Sequence, residues 1–277
     1  MKILSVISIF LLAIIMPNFS FAEINGIKLY VLDCGSIDVS DMAELSENGE
    51  YDGQQISLVN PCFLIRHPKG DLLWDTGHED SLADTPDKGT EGVWRSSLKT
   101  KLSTQLESLG LAAHDIEFLS LSHVHPDHSG NANKFSDATF IVNKLEHQYM
   151  FRKDTLAMFG SGYSALEQSP TVFFTEEHDV FKDGKVIIKS MPGHTPGSSV
   201  LFVRLEKSGN LLLTGDLYIH ARGRQLNTML IYNTDKKVTQ RSRKNFEAFA
   251  KAENARVIIQ HEKQAFDSLP LFPLYLN

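Results

Sequence analysis

Seven histidine and aspartate residues of this sequence stand just after short apolar runs, where they could bind metal ions. The runs lie at residues 116–121, 186–188, 211–213 and 257–259 and are rich in Leu, Ile and Val. Such runs are typical of buried strands, and imidazole and carboxylate groups are common ligands of transition metals. The residues that follow the runs are His123, His125, Asp127, His128, His194, Asp216 and His261. The pattern predicts that strand ends meeting at one edge of a sheet hold a metal site, and the number of donors favours two ions.

The densest part of this pattern is a His-x-His-x-Asp-His motif at residues 123–128. His123 and His125 are two residues apart, so an extended turn can point both side chains at one ion. Asp127 and His128 follow the bend that a proline imposes and can bind a second ion. The motif alone is suggestive, and the three further donors after other apolar runs make it specific.

The elements that must position these residues alternate between strand-like and helix-like patterns. Apolar residues recur with helical period at residues 94–110, and further helices are predicted at residues 144–151 and 238–253. Residues 36–55 are polar and predict a surface loop or lid. Strands come first as hairpins and then alternate with helices, which favours two packed sheets with helices outside. We expect one domain, residues 23–277.

The composition is that of an ordinary globular protein. Of 277 residues, 42% are hydrophobic and 22% charged, which excludes a disordered or low-complexity chain. The formal net charge of −7 argues against nucleic-acid binding as the main function, because phosphate binding favours a basic surface.

Residues 1–22 have the pattern of a secretory signal peptide. Lys2 precedes an apolar stretch, and Ser20-Phe21-Ala22 offers small residues at the cleavage positions. A membrane anchor is the alternative, but the stretch is shorter than the roughly 20 residues that span a bilayer. We therefore expect an exported protein, periplasmic or secreted, with no stable membrane insertion after cleavage.

The chain has two cysteines, Cys34 and Cys62, and both lie in strand-like segments. Export would permit a disulfide between them, and burial as separate apolar thiols is the alternative. We expect free thiols. Neither cysteine has a partner at the spacing of a zinc ligand pair.

The seven donor residues resemble the complete ligand set of the metallo-β-lactamase superfamily. That resemblance implies an α/β fold, a four-layer αββα sandwich with the metals at one edge. It also implies that Asp75 lies behind the ligands and orients a ligand histidine or bound water. Within the superfamily, the segments at residues 192–197, 212–216 and 272–275 are most similar to those of N-acyl-homoserine-lactone lactonases.

The resemblance implies a role for each ligand. Two divalent ions, most readily Zn²⁺ with Co, Fe and Mn as alternatives, would share a bridging hydroxide that attacks the carbonyl of an acyl lactone. Asp127 would carry the proton to the leaving alkoxide. The ligands of the first ion would be His123, His125 and His194, those of the second Asp127, His128 and His261, and Asp216 would bridge both. Such an enzyme quenches a bacterial signal, and relatives of this kind are often homodimers.

The sequence departs from the lactonase pattern at one position. Lactonases carry a tyrosine three residues after the bridging aspartate, and this chain has Ile219 there. We expect Tyr218 or His220, on either side of it, to hydrogen-bond the substrate. Candidates for an apolar groove that holds the acyl chain are Met150-Phe151, Met158-Phe159, Phe173-Phe174 and the loop at residues 36–55.

Other functions share part of this residue pattern. An arylesterase, a glyoxalase II-like thioesterase or a β-lactamase would use the same kind of metal site. A mono-iron dioxygenase would use part of the ligand set, and a binding protein would keep the fold without the chemistry. The sequence contains no Gly-x-Ser-x-Gly segment, which counts against a serine esterase.

Overall fold

The computed structural model describes residues 26–85 and 89–277. The expected signal peptide at residues 1–22 lies outside these ranges. Within them, no helix is both long and apolar enough to cross a bilayer. The helices are α1 (Leu102–Ser108), α2 (Pro126–Ser129), α3 (Lys144–Met150), α4 (Lys153–Phe159), α5 (Ala221–Leu226), α6 (Lys236–Ala252) and α7 (Lys263–Asp267).

Two sheets form the centre of the described part of the chain. The first sheet has nine strands, in the order β4-β5-β1-β2-β3-β6-β7-β8, with β14 also paired to β1. Its strands are β1 (Lys28–Val39), β2 (Ile56–His67), β3 (Gly70–Trp74), β4 (Thr90–Glu91), β5 (Trp94–Ser97), β6 (Phe118–Ser120), β7 (Thr139–Asn143), β8 (Thr171–Phe174) and β14 (Tyr275–Leu276). The second sheet has five strands, in the order β13-β12-β11-β10-β9. Its strands are β9 (Glu177–Asp179), β10 (Val186–Ser190), β11 (Ser199–Leu205), β12 (Gly209–Leu213) and β13 (Arg256–Ile258).

The apolar side chains divide into layers that explain this architecture. One cluster, with Phe63 and Trp74 from the first sheet and Leu201 and Leu213 from the second, fills the space between the sheets. Two further clusters lie on the outer faces, where α1 and α3 cover the first sheet and α6 covers the second. Each central strand is therefore buried on both sides, which gives the expected four-layer αββα sandwich.

Parallel strand pairs bring the donor residues to one edge. Strands β3 and β6 run parallel in the first sheet, and β12 and β13 run parallel in the second. The carboxyl ends of parallel neighbours open on the same side of a sheet. Asp75 and the motif at residues 123–128 follow the first pair, whereas Asp216 and His261 follow the second.

The helix expected at residues 94–110 is shorter than predicted. Residues Trp94–Ser97 form β5, which pairs with the extension of β1 between Ser36 and Val39, and only Leu102–Ser108 is helical. Leu98, Leu102 and Leu106 are still buried, although Leu98 lies before the helix, and Leu109 is partly buried. Pairing across the sheet overrides the local helical pattern here.

The segment at residues 36–55 is only partly a loop. β1 continues through Val39, and Met42–Leu45 forms a 3-10 helix whose amino end is capped by Asp41. Met42, Leu45 and Tyr51 are buried. The segment is polar in composition, but its few apolar side chains pack into the core.

The expectation of free thiols is wrong, because Cys34 and Cys62 form a disulfide. β1 and β2 are antiparallel neighbours, and Leu32 pairs with Cys62. A register shift between Asp33 and Ser36 then moves the chain so that the cysteine Cα atoms lie 5.7 Å apart. That separation lies within the usual range for a disulfide.

Candidate metal centre

The structure brings all seven expected donors together in two groups that share one residue. In each group the donor atoms lie within 4.8 Å of one another. The first group is His123, His125, His194 and Asp216, and the second is Asp127, His128, Asp216 and His261. The division is the one that the resemblance implied.

Asp216 stands between the two groups and turns one carboxylate oxygen to each. Its Oδ2 lies 3.3 Å from Nε2 of His194 and 3.6 Å from Nε2 of His123. Its Oδ1 lies 2.9 Å from Nε2 of His261 and 3.2 Å from Nε2 of His128. A carboxylate in this position has the geometry to bridge two cations.

The spacing of the donors fits ions that they share. Two ligands that are each about 2.1 Å from one ion, at tetrahedral to octahedral angles, lie roughly 2.9–3.4 Å apart. The nitrogen of His125 lies 2.8 Å from that of His123 and 3.0 Å from that of His194. In the second group, Nε2 of His128 and of His261 are 3.2 Å apart. These separations match those of donor atoms around a shared cation, so the residues present fit a two-ion centre.

The local sequence explains how one short segment serves both groups. Pro126 is the first residue of α2, where its fixed φ suits a helix start. The turn that follows carries Asp127 and His128 away from the extended residues His123 and His125. Asn60 fixes this turn, because its Nδ2 donates to the carbonyl oxygen of Asp127 at 2.7 Å.

Burial and neighbouring charges set the protonation of the donors. Burial lowers the pKa of His123 well below its usual value and that of His125 to about 3, and neighbouring imidazoles add to the effect. These histidines are therefore neutral, the form that binds metals. Burial alone would raise the pKa of Asp127, but His128 and His261 hold it well below its usual value, so this carboxyl is an anion.

A layer of hydrogen-bonded residues lies directly behind the ligands. Oδ2 of Asp75 is 2.9 Å from Nδ1 of His128, and Oδ1 accepts from the backbone of Ser122 at 2.6 Å. Asp75 has a φ of 59°, which is unusual for a residue with a side chain. Asp75 therefore lies directly behind His128, with its backbone in the left-handed region.

Sequence reasoning missed other members of this layer. Gln260 donates to Asp75 at 2.6 Å, and Oδ1 of Asn233 lies 3.1 Å from Nδ1 of His194. The backbone oxygen of Val59 accepts from Nδ1 of His261 at 2.8 Å. Contacts of this kind fix which ring nitrogen faces the ion. Only the adjacency of Gln260 to His261 offered a signal in the sequence.

Glu146 is the most important residue that the sequence analysis did not identify, because it hydrogen-bonds to two of the loops that carry donors. Oε1 accepts from the backbone of Val124 at 3.0 Å, and Oε2 accepts from Thr195 Oγ1 at 2.7 Å and from the backbone of Gly197 at 2.9 Å. Burial raises the pKa of Glu146 to about 6 despite these donors. It lies on α3, far in sequence from both loops, so no local pattern marked it.

The donors open onto a cavity of about 480 Å³ whose other lining residues are largely apolar. Five of the donors, His125, Asp127, His194, Asp216 and His261, belong to its lining. The apolar lining residues include Ile37, Leu45, Leu58, Val93, Phe159, Ile219 and Leu230. The cavity can therefore hold a molecule with a polar group at the donors and an apolar tail.

Tyr218 and His220 are not brought to the donors. The ring of Tyr218 packs against Phe246 and under the guanidinium of Arg243, in the wall of a different cavity. His220 is buried, and its Nδ1 accepts from the backbone of Gly223 at the amino end of α5. Ile219, between them, is the residue that faces the donor cavity.

The expected acyl-chain residues are also mostly elsewhere. Of the three pairs, only Phe159 lines the cavity, whereas Met150 is buried in the outer core of the first sheet and Phe174 in the core between the sheets. The segment at residues 36–55 does contribute, through Ile37 and Leu45.

Comparison with known proteins places this geometry in a family. A family model described as the metallo-β-lactamase superfamily matches residues 58–261. An N-acyl homoserine lactonase, AttM, from Azorhizobium caulinodans is 31% identical over 91% of this chain and 100% of that relative. A lactonase from Bacillus thuringiensis is 22% identical over 81% of this chain and 89% of its own length.

Solved structures agree with this comparison at the level of the fold. An N-acyl homoserine lactone hydrolase with N-hexanoyl-L-homoserine bound at its metal centre is 23% identical, with a TM-score of 0.77 over 90% of this chain and 98% of that one. AidC, described as a dizinc quorum-quenching lactonase, has a TM-score of 0.66 at 20% identity, over 86% of this chain and 88% of that one. Fold, donor arrangement and sequence match lead to one conclusion: the chain belongs to the metallo-β-lactamase superfamily.

Proposed function

We propose that the protein is a di-metal hydrolase that opens the lactone ring of N-acyl homoserine lactones and so quenches a bacterial signal. The observation that carries the proposal is the carboxylate of Asp216, set between two groups of donors beneath an apolar cavity. The names of relatives that match nearly the whole chain support this substrate class.

The donor set suits two divalent ions, and we propose zinc. Imidazole nitrogens with a few carboxylate oxygens are typical zinc ligands. When bound, such ions polarise a carbonyl group and make a coordinated water acidic. Each of the seven residues named above would hold one ion, except Asp216, which would hold both.

Asp127 has the position and charge to move the proton of the reaction. Ring opening adds water across the carbonyl carbon, breaks the bond to the ring oxygen and leaves a carboxylate and a hydroxyl. The ring oxygen therefore needs a proton. Asp127 is anionic, lines the cavity and is 21% exposed, so it can accept a proton from the attacking water and donate it to the leaving oxygen.

The apolar walls have the chemistry to hold an acyl chain. Ile37 and Leu58 come from the first sheet, whereas Ile219 and Leu230 come from the connection between β12 and β13 of the second. Burial of an aliphatic chain on such surfaces contributes about 0.8 kcal/mol for each methylene group. We therefore propose that affinity rises with chain length until the cavity is full.

Ring opening measured together with metal content is the direct test. Protein with two equivalents of zinc should release acid from N-hexanoyl homoserine lactone, and removal of metal with a chelator should abolish the rate. His123→Ala should lower bound zinc and rate together, whereas His114→Ala, an exposed histidine outside both groups, should change neither. Full activity after complete metal removal would refute the mechanism.

We further propose that residues 1–22 are a cleaved signal peptide and that the protein is exported. The disulfide between Cys34 and Cys62 supports this location, because disulfides persist in oxidising compartments. Amino-terminal sequencing of the secreted or periplasmic protein should find a start near Glu23. A mature protein that retains Met1 inside the cell would contradict the proposal.

A further inference from the structure

Two glutamates stand on the cavity that holds the donors. Glu44 comes from the 3-10 helix Met42–Leu45 and Glu91 from β4, and both belong to the cavity lining. Among the residues that the structure describes, this lining contains no lysine or arginine. Glu91 is exposed and Glu44 half-buried, whereas His194, Asp216 and His261 are buried, so the two carboxylates lie on the solvent side of the cavity, which we call its mouth.

Neither glutamate is neutralised by a neighbour. In the described parts of the chain, no Lys, Arg or His nitrogen lies within 4.0 Å of Glu44 or Glu91. Glu47, three residues beyond Glu44, is different because it pairs with Lys236. The unpaired charges thus belong to the side chains that face the cavity.

Glu44 is also held in place by neutral donors. Its Oε2 accepts from Trp94 Nε1 at 2.9 Å and from the hydroxyl of Tyr232. The two rings that donate are in edge-to-face contact, with centroids 6.0 Å apart, and both line the cavity. Indole and phenol groups orient the carboxylate without cancelling its charge, so the negative charge of Glu44 is held in place.

A fixed negative charge beside apolar walls discriminates by charge. An anionic group that enters is repelled by the glutamates and loses hydration without gaining a cationic partner at the mouth. A neutral substrate does not experience this cost. Specificity of this kind comes from penalising the wrong ligand as well as from binding the right one.

We infer that Glu44 and Glu91 form a charge filter, which admits neutral acyl lactones, rejects substrates whose tail carries a carboxylate, and promotes departure of the ring-opened acid. The inference rests on the proposed function, because it assigns specificity-determining residues to that same cavity. It predicts selection at the substrate tail, away from the reacting carbonyl group.

The test compares two lactones that differ only at the tail. One is N-hexanoyl homoserine lactone, and the other carries a carboxylate at the end of the same acyl chain. In E44Q/E91Q, the ratio of kcat/KM for the charged to the neutral lactone should rise about tenfold, and the gain should shrink at high salt. E107Q/E206Q makes the same charge change at exposed sites outside the cavity and should leave the ratio unchanged.

A binding measurement separates this inference from the proposed function. Calorimetry on the zinc-loaded protein with the carboxylate N-hexanoyl homoserine should show affinity about tenfold tighter in E44Q/E91Q than in the wild type. If neither lactone is hydrolysed, the proposed function is wrong. The affinity for N-hexanoyl homoserine still shows whether Glu44 and Glu91 repel an anion. If E44Q/E91Q has the same rate ratio and the same affinity for the acid as the control E107Q/E206Q, the charge filter is refuted.

Discussion

The metal donors could be predicted from sequence because each carries its own local signal. His123, His125, Asp127 and His128 form one compact motif, and the other three donors each follow a recognisable strand. The chemistry of imidazole and carboxylate groups then limits what such residues do together. The structure brings these residues together in two groups that share Asp216, which is the division that the resemblance implied.

The residues that support the donors could not be predicted in the same way. Gln260, Asn233 and Glu146 contact the ligands or their loops through side chains that belong to no motif. Their contacts exist only after distant segments have packed. Tyr218 and His220 show that closeness in sequence can also mislead. They lie near Asp216 in the chain, but their side chains do not point towards the donors.

The buried carboxyl of Glu146 should make stability depend on pH. Its folded pKa of about 6 lies above the usual value of 4.5, so its favourable contribution is complete below about pH 4.5 and is lost as pH rises through 6. A shift of this size corresponds to about 2 kcal/mol. The difference in unfolding free energy between wild type and Glu146→Gln should therefore decrease by about that amount from pH 4 to pH 7.

Chemical denaturation of metal-free protein across this pH range is the measurement for Glu146. Glu167→Gln is a suitable control, because it removes an exposed carboxyl of the neighbouring 3-10 helix. A difference between wild type and Glu146→Gln that stays constant from pH 4 to pH 7 would show that Glu146 keeps an ordinary pKa.

At the scale of elements, local patterns predicted an element correctly where its buried residues recurred with a single helical period. They failed where one apolar pattern extended over two different elements. The helix predicted at residues 238–253 corresponds to α6, whose buried Phe246 and Ala250 are four residues apart. In residues 94–110, by contrast, the apolar spacing runs through a strand, a turn and a helix. Pairing of β5 with β1 decided that structure, and such long-range pairing has no local signature.

The amino end of α6 supports a ligand loop as well as its own helix. Asp235 caps the helix by accepting from the backbone of Val238 at 2.9 Å, and its own backbone donates to Gly193, next to His194. Asp235→Ala should lower the free energy of unfolding by about 1 kcal/mol, because an N-cap is lost. Thermal or urea unfolding checks this, with Lys237→Ala as a first-turn control. Equal stability of the two variants would contradict the capping role.

At the scale of the whole molecule, the sandwich was predictable and the disulfide was not. The order of strands and helices, together with the resemblance, implied two sheets between helical layers. The bond between Cys34 and Cys62 depends on a register shift between β1 and β2, which composition and spacing do not reveal.

Removal of the disulfide should destabilise the fold. The bond closes a loop with a sequence separation of 28, for which loop-closure entropy gives about 3.5 kcal/mol. Replacement of both cysteines by serine should lower the unfolding free energy by about that amount in denaturant titrations. Reductant should shift the wild type towards the double variant and leave the double variant unaffected. A wild type insensitive to complete reduction would argue that the bond adds no stability.

The donors come from both sheets, since His123 follows β6 in the first and Asp216 and His261 follow strands of the second. Ions held there would link the two sheets of the sandwich, in addition to serving the chemistry. Removal of the metal would then lower the stability of the fold and abolish catalysis together. The supply of metal would thereby govern both the lifetime of the enzyme and its output.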